Sequence, residues 1–213
     1  MRLDDYLLKH GVRCKETADY LVKNMMVMVN GKIVTYTALP LEEKDRVEVL
    51  KEEYKDAPAS FWKLKVIHES VDLIHTGDFV LDIESPDGGF PLFAARTGAN
   101  TTVVTIREDL DFLKREGIEV INKNIVHEDL RKIFSSKFDI VIIELNFDIM
   151  KTMQILEKLR DFIGSRGKVI MFLPSRGREN VKEMIEEMML NQKLIVVKFF
   201  DTRKGFYVYA KVI

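Results

Sequence analysis

The pattern of apolar and polar residues changes near residue 60. After that point, short apolar runs alternate with stretches in which apolar residues recur at helical spacing. Most of these runs are continuous, which is typical of strands buried on both faces of a parallel sheet. The runs are FVLDI, TTVVTI, IEVI, FDIVIIEL, KVIMFL and LIVVKFF, and the helical stretches lie around residues 61–74, 89–98, 108–115, 128–135, 149–163 and 178–190. The alternation predicts an α/β fold with a doubly wound sheet.

The last two predicted strands are joined differently from the parallel strands before them. Residues 194–200 and 205–212 both read as strands, and only the short segment DTRKG joins them. A crossover between parallel strands needs a dozen or more residues. We therefore expect these two strands to form an antiparallel terminal hairpin.

Before residue 60 the chain has a small α+β pattern. Apolar residues recur at helical spacing up to Gly11 and again from Lys15 to Asn24. The alternating stretch VMVNGKIV is divided by Asn30-Gly31, a strong signal for a type I′ hairpin turn, and DRVEVL predicts one more strand. The charged stretch KEEYKDAPAS has neither period. These patterns predict an N-terminal domain at 1–50, a linker at 51–60 and a second domain at 61–213.

Composition narrows the possible functions. Of 213 residues, 46% are hydrophobic and 31% are charged, with a formal net charge of −1. A net charge close to zero does not attract nucleic acid to the surface as a whole, so RNA binding would need a local basic face. One cysteine and four scattered histidines predict neither an internal disulfide nor a metal site. The first residues lack an apolar signal core, and no run is long enough to span a membrane, so we expect a cytoplasmic protein.

Residues 1–50 resemble the RNA-binding domain named after ribosomal protein S4. The features that match are Arg2-Leu3-Asp4, the basic pair Arg13 and Lys15 at the second helix, and the V-x-V-N-G-K hairpin. The resemblance implies that the helices and hairpin hold structured RNA by its shape. By position, the implied phosphate contacts are Arg2, Lys9, Arg13, Lys15, Lys23 and Lys32. An ordinary solvated surface is the alternative, because four nearby acids dilute the positive charge of this face.

The second domain resembles the FtsJ/TlyA-like ribosomal RNA 2′-O-methyltransferases. The matching stretches are FWKLKVI, VLDI and SPDGGF at the family's spacing, and the resemblance continues to the end of the chain. It implies S-adenosylmethionine as cofactor, bound over the carboxyl ends of the strands. The cofactor-binding residues implied by position are Asp82, Gly88, Gly89 and Asp129. An ordinary tight turn at the two glycines and a helix-dipole role for Asp129 remain open.

Two residues depart from the family's cofactor pattern. Glu84 stands where the loop has a glycine, so a side chain enters a region that backbone and ligand normally share. Arg107 stands at the end of the second strand of the domain, where an acid normally accepts the ribose hydroxyls. A guanidinium has no acceptor, and Glu108 could replace that acid only if the strand end shifted.

The catalytic pattern of the family is a Lys-Asp-Lys-Glu tetrad, which deprotonates and orients the ribose hydroxyl. Lys63 occupies the first position, although it equally fits a solvated helix cation, and Glu144 occupies the second with a longer side chain. The remaining two positions align with Phe172 and Gly205, which cannot exchange a proton.

Three functions are compatible with these patterns. The first is an RNA-binding protein, with ribosomal RNA as the expected target and a role in ribosome biogenesis, whose methyltransferase-like domain has degenerate catalytic residues. The second is an active S-adenosylmethionine-dependent RNA 2′-O-methyltransferase rebuilt around Lys63 and Glu144. The third is a protein-interaction scaffold that does not touch RNA. We rank them in this order because two proton-handling groups of the tetrad are missing.

Overall fold

The computed structural model describes residues 1–174 and 181–213. The helices are α1 (Leu3–Lys9), α2 (Lys15–Lys23), α3 (Ala59–Val71), α4 (Gly89–Arg96), α5 (Ile149–Leu159) and α6 (Val181–Asn191). The strands are β1 (Val27–Val29), β2 (Lys32–Ile33), β3 (Val47–Val49), β4 (Phe79–Ile83), β5 (Asn100–Thr105), β6 (Glu119–Asn122), β7 (Phe138–Ile143), β8 (Ile163–Pro174), β9 (Leu194–Asp201) and β10 (Gly205–Val212). Four short 3₁₀ helices cover Glu52–Tyr54, Glu108–Glu116, Leu130–Lys132 and Arg160–Phe162.

The larger sheet has seven strands in the order β6-β5-β4-β7-β8-β10-β9. The strands from β4 to β8 are parallel, whereas β10 runs antiparallel to both of its neighbours, β8 and β9. Along β4, Leu81 and Ile83 pack on the side of α5 and α6, and Val80 packs on the side of α3 and α4. The predicted doubly wound sheet with an antiparallel terminal hairpin is confirmed.

Two stretches that the sequence predicts as helical form 3₁₀ rather than α-helices. Residues 108–116 form a 3₁₀ helix, whose three residues per turn place the buried Leu110 and Leu113 on one face. Only Leu130–Lys132 of the helix predicted around 128–135 is helical, again as a 3₁₀ turn. The helix predicted at 178–190 is described from Val181, and its first three predicted residues lie outside the described residues.

The N-terminal residues form a separate small sheet. Its strand order is β2-β1-β3, and both pairings are antiparallel. Asn30 and Gly31 have φ angles of 51° and 75°, as a type I′ turn requires. A cluster of apolar side chains from α1, α2 and the strands, including Leu3, Leu7 and Leu21, forms a core of its own. The domain boundaries inferred from the sequence remain a prediction.

Residues 51–60, predicted as a linker, are packed rather than extended. They contain the 3₁₀ helix Glu52–Tyr54 and the start of α3, and Ala57 is buried. The Tyr54 ring meets the rings of Phe61 and Trp62 edge-on or tilted. The segment therefore connects the two parts of the molecule as a folded element.

Helix α2 packs against α3 through a joint that we define by Thr17, Ala57 and Trp62. The Thr17 hydroxyl donates to the carbonyl oxygen of Ala57 at 2.6 Å and accepts from Trp62 Nε1 at 2.9 Å. The Tyr20 ring stacks on Trp62 with 3.7 Å between centroids. At the edge of the joint, the Arg13 guanidinium lies 4.5 Å from the centroid of the Phe112 ring. Polar and aromatic contacts together fix the small sheet's helices against the large sheet's helices.

Candidate functional site

The carboxyl ends of β4, β5 and β7 meet at one edge of the large sheet. β4 lies between β5 and β7. The chain leaves β4 towards α4 and leaves β7 towards α5, and these two helices pack on opposite faces of the sheet. Open α/β sheets bind ligands at this kind of switch point, outside the carboxyl ends of the strands. The loop from residue 84 to residue 88 leads from β4 into α4 and forms the floor of this cleft.

Glu84 has a left-handed backbone conformation, which favours glycine. Its φ is 61°, in the left-handed region that L-residues avoid at a cost of about 1–2 kcal/mol. The side chain leaves the loop and turns to the end of β5. There its carboxylate accepts from Thr105 Oγ1 at 3.0 Å and from the backbone N–H of Ile106 at 3.1 Å. Burial raises the pKa of Glu84, while these two hydrogen bonds oppose the shift.

Gly88 and Gly89 are each required for a different structural reason. Gly88 has a φ of 74°, a conformation that suits glycine. A Cβ on Gly89 would collide with the backbone nitrogen of Phe61 and with Ser60 Oγ at the start of α3. Close packing of α4 on α3 therefore requires glycine at residue 89, whether or not a ligand approaches it.

Asp87 joins the N-termini of α3 and α4. Its carboxylate accepts from the backbone N–H groups of Ser60 and Gly89, each at 3.0 Å, and also from the Ser60 hydroxyl. Free N–H groups at a helix start favour an acceptor of this kind. One side chain thus fixes the cleft floor to both helices.

Asp82 is a fully buried acid at the end of β4. Its Oδ1 accepts from the backbone N–H of Ser85 at 3.2 Å, and its Oδ2 has no hydrogen-bond partner among the described residues. Burial raises the pKa of Asp82 well above its usual value, and the neighbouring charge of Glu144 raises it further.

Glu144 follows β7 and is the centre of the second polar group of the cleft. Its Oε1 accepts from the Tyr207 hydroxyl at 2.6 Å and lies 3.9 Å from Lys63 Nζ, and its Oε2 accepts from Ser85 Oγ at 3.4 Å. The Glu144 side chain is 8% exposed and the Lys63 side chain 52% exposed. Burial raises the pKa values of both Glu144 and Tyr207. The predicted pair of Lys63 and Glu144 is thus brought together, with a tyrosine added.

A cavity of about 600 Å³ opens beside Glu144. Its walls come from both parts of the molecule, because Glu16 of α2 contributes to one side. The lining residues are Glu16, Lys63, Pro86, Glu144, Asn146, Phe172, Thr202, Arg203, Lys204 and Tyr207. The cavity therefore offers acids, cations and two aromatic rings to a bound group.

Tyr207 was missed by the sequence analysis. In the stretch GFYVYAKV it looks like one more core residue of an apolar strand. It pairs with Phe172 on β8, with 5.2 Å between ring centroids, and its hydroxyl reaches Glu144. A buried tyrosine needs a partner for its hydroxyl, which was the only available signal. Gly205, at the position aligned with the last tetrad residue, pairs with Pro174 and is absent from the cavity wall.

The remaining predicted residues of the cleft face solvent. Arg107, whose side chain is 43% exposed, is paired with Asp109, with 2.7 Å between Nη2 and Oδ2. Asp129 is exposed and, as the residue that caps the 3₁₀ helix Leu130–Lys132, accepts from the backbone N–H of Arg131 at 3.2 Å. This position agrees with the helix-dipole role left open by the sequence, and a cofactor role for Asp129 stays a prediction.

The six predicted RNA contacts differ in their surroundings. Lys9, Lys15 and Lys32 are exposed. Arg2 binds Asp4 with two hydrogen bonds of 2.7 and 2.9 Å, and Lys23 lies 2.6 Å from Asp19. Arg13 donates to the backbone oxygen of Asp56 at 3.3 Å and lies over Phe112, so its cation belongs to the joint.

The described part of the chain has neither a cluster of metal-binding side chains nor a membrane-spanning helix. Residues 1–174 and 181–213 contain no group of three or more histidine, cysteine, aspartate or glutamate side chains that could hold a metal ion. The helices of the same residues are too short or too polar to cross a membrane.

Comparison with solved structures identifies the fold. A candidate hemolysin from Streptococcus thermophilus matches with a TM-score of 0.64 and 16% identity, over 100% of this chain and 88% of that chain. A candidate rRNA methylase from Clostridium thermocellum matches with a TM-score of 0.52 and 16% identity, over 70% of this chain and 97% of that chain. The magnesium protoporphyrin IX methyltransferase of Synechocystis, solved with bound S-adenosylmethionine, matches with a TM-score of 0.55 and 13% identity, over 72% and 78%.

The chain has the fold of S-adenosylmethionine-dependent methyltransferases. No family model and no curated protein matches the sequence. The Streptococcus structure is similar over the whole chain, including the small N-terminal sheet.

The residues of the cleft fit S-adenosylmethionine. This methyl donor has an ammonium, a sulfonium and two ribose hydroxyls, all of which favour acceptors or negative charge. The cleft supplies Asp82 with an unpartnered buried oxygen, Glu84 at the end of β5 and Glu144 after β7. A cation placed among these acids would lower pKa values that burial raises.

Proposed function

We propose that the protein binds structured RNA, with ribosomal RNA as its target, and presents that RNA to a methyltransferase-like cleft that no longer transfers methyl groups efficiently. In this proposal residues 1–50 act as an S4-like RNA-binding domain, residues 51–60 as the connecting segment, and residues 61–213 as an FtsJ/TlyA-like domain. A role in ribosome biogenesis in the cytoplasm follows from such a target.

The observation that carries this proposal is the composite wall of the cavity. Glu16, in the first turn of α2, lines the same cavity as Lys63 and Glu144. Lys15 precedes it and is exposed, and Arg203 and Lys204, on the loop between β9 and β10, line the same cavity. A phosphate backbone held along α2 would therefore lie near a cavity that has cations of its own. A candidate rRNA methylase is among the similar structures, which agrees with an RNA substrate.

The inefficient chemistry follows from the side chains beside Glu144. Where the family's second lysine aligns, the Phe172 ring packs against the Tyr207 ring. A phenyl group neither accepts a proton nor stabilises a carboxylate by charge. Loss of one general acid or base typically costs about 10²–10⁴-fold in rate.

An active methyltransferase is the second candidate, and one contact favours it. The Tyr207 hydroxyl, the Glu144 carboxylate and the Lys63 ammonium form a connected group that opens into the cavity. A nearly buried carboxylate with a raised pKa is a suitable general base. The rebuilt group would then replace the family's tetrad.

RNA binding can be tested by fluorescence anisotropy with a labelled RNA stem-loop and a DNA duplex of the same sequence. We expect the protein to prefer the A-form RNA and to lose affinity as salt is added. The double variant Lys9→Ala/Lys15→Ala should weaken RNA binding and reduce the salt slope by about two, one for each phosphate contact.

The matched control is Lys132→Ala/Lys137→Ala, which removes two exposed cations in the connection from β6 to β7. It should bind RNA as the wild type does. Equal binding by both double variants would refute the role of the N-terminal residues, and a wild type that binds no RNA would favour the scaffold. Arg13 is unsuitable for this test because its substitution also disturbs the joint.

Methyl transfer is measured separately, with S-adenosylmethionine labelled in its methyl group and ribosomal RNA as acceptor. The proposal expects no label above background. Label that appears with wild type, and disappears in Lys63→Ala and Tyr207→Phe, would establish the active enzyme instead.

A further inference from the structure

The end of β5 lacks its own acid, yet a carboxylate lies there. Residue 107 is an arginine, and its guanidinium turns to Asp109. Glu84, from the loop after β4, extends across and binds the backbone N–H of Ile106 and the hydroxyl of Thr105. The Glu84 side chain, from the loop after β4, thus lies at the end of β5, where β5 itself provides no acidic side chain.

The geometry of Glu84 leaves acceptor capacity free. A carboxylate has about four lone-pair directions, and Thr105 and Ile106 use one on each oxygen. The two contacts fix the orientation of the side chain, and its half-buried position limits exchange with water. One lone pair on each oxygen therefore remains available for a pair of neighbouring hydroxyl donors.

A second observation, at the end of β4 just before this loop, indicates a bound ligand. Asp82, two residues before Glu84, is fully buried and has an Oδ2 without any partner among the described residues. Unsatisfied buried oxygens are rare in proteins and commonly mark functional sites. The strained φ of Glu84 agrees, because strain of this kind persists where the surrounding structure imposes it.

We propose that the Glu84 carboxylate accepts the two ribose hydroxyls of an adenosine-containing ligand at the end of β5, in place of an acid at residue 107. Dinucleotide-binding α/β sheets commonly use an acid for this purpose. Here the loop after β4 supplies the acid, so the subsite is retained although residue 107 is an arginine. This inference rests on the cofactor cleft of the proposed function and requires neither RNA binding nor methyl transfer.

Calorimetry with S-adenosylhomocysteine tests the proposal without any methyl transfer. Glu84→Gln keeps the size of the side chain but replaces one acceptor oxygen by an NH₂ donor. We expect it to weaken binding at least tenfold, because a hydrogen bond to a charged group contributes about 1.5–3 kcal/mol. Glu108→Gln is the matched control, since it removes an exposed acid next to Arg107, and it should bind as the wild type does.

A ligand series gives a second readout that needs no variant to fold. Wild type should bind adenosine at least tenfold more tightly than 2′-deoxyadenosine and 3′-deoxyadenosine, and Glu84→Gln should reduce this discrimination. Wild type that binds no S-adenosylhomocysteine, equal affinity for the three nucleosides, or a loss of binding in Glu108→Gln alone would each overturn the proposal. RNA affinity measured in the same preparations reports the proposed function independently.

Discussion

The joint and the cleft are two buried polar groups on either side of α3, and they are satisfied to different degrees. In the joint, Thr17 both donates to Ala57 and accepts from Trp62, and all three groups are neutral. In the cleft, Asp82 keeps an oxygen without a partner among the described residues, and Glu144 is nearly buried as an acid. Adjacent residues of one helix, Trp62 and Lys63, serve these two environments.

The difference separates stabilising polar groups from functional ones. A fully paired neutral group removes the penalty of burying its atoms. Buried acids with raised pKa values lower stability and are common at binding and catalytic sites. Four substitutions test this distinction.

The largest expected loss of stability is that of Thr17→Val. The variant leaves the Ala57 carbonyl and the Trp62 N–H buried without their partner, at about 1–3 kcal/mol for each group. We expect a loss of about 3 kcal/mol in the free energy of unfolding, measured by urea denaturation. Thr17→Ser retains the hydroxyl and is the control. A valine variant as stable as the serine variant would show that the joint's hydrogen bonds contribute little.

In the cleft, Tyr207→Phe removes the hydroxyl that donates to the nearly buried Glu144. We expect a loss of about 2 kcal/mol in urea denaturation, because a charged acceptor loses its donor. The matched control is Tyr209→Phe on the same strand, whose buried hydroxyl has no partner among the described residues. That variant should be neutral or more stable. A larger loss of stability in Tyr209→Phe than in Tyr207→Phe would contradict the geometry of β10.

Asp82→Asn should become more stable relative to the wild type as the pH rises. The pKa of Asp82 is raised in the folded state, so its stabilising contribution is complete below the unfolded value of 3.8 and is lost as the pH rises through the folded pKa. The difference in unfolding free energy should therefore grow in that window, by at most about 1.4 kcal/mol per pH unit. Urea denaturation as a function of pH measures it.

Asp109→Asn is a control of opposite sign for this experiment. Arg107 lowers the pKa of Asp109, so the stability that this carboxylate contributes is lost as the pH falls below 3.8. The variant should lose stability relative to wild type as the pH rises through the region below 3.8. If the difference in unfolding free energy between Asp82→Asn and the wild type did not change with pH, the pKa of Asp82 would not be raised in the folded state.

The smallest effect concerns the backbone of the cleft floor. Glu84→Gly and Glu84→Ala remove the same carboxylate, but only glycine relieves the left-handed φ of 61°. The glycine variant should be more stable than the alanine variant by about 1 kcal/mol in thermal or urea unfolding. Equal stabilities would show that the loop relaxes around alanine.

Local pattern predicted most of the fold because buried strands and amphipathic helices leave periodic signals. FVLDI, FDIVIIEL and the terminal hairpin were located to within about two residues, and Asn30-Gly31 correctly predicted its turn. The sequence did not determine the type of the helix at 108–116, because the spacing of Leu110 and Leu113 fits a 3₁₀ helix as well as an α-helix.

The site was less accessible to sequence, because alignment reports which residue stands at a position but not which side chain arrives there. Position alone predicts that Glu84 enters the cofactor loop, yet its side chain turns to the end of β5 and binds Thr105 and the backbone N–H of Ile106. Tyr207 reaches Glu144 only because β10 pairs beside β8, a long-range arrangement without a local signal. Phe172 stands where the family resemblance implies a lysine, and in the structure its ring packs against Tyr207.

The strand order of the large sheet has a consequence for biosynthesis. Although β10 follows β9 along the chain, it inserts between β8 and β9 and supplies Tyr207 to the cleft. During translation the long strand β8 therefore has an unpaired edge until residues 205–212 emerge. The parallel strands β4 to β8 can pair early, but the hydrogen bond from Tyr207 to Glu144 forms only after β10 has inserted beside β8.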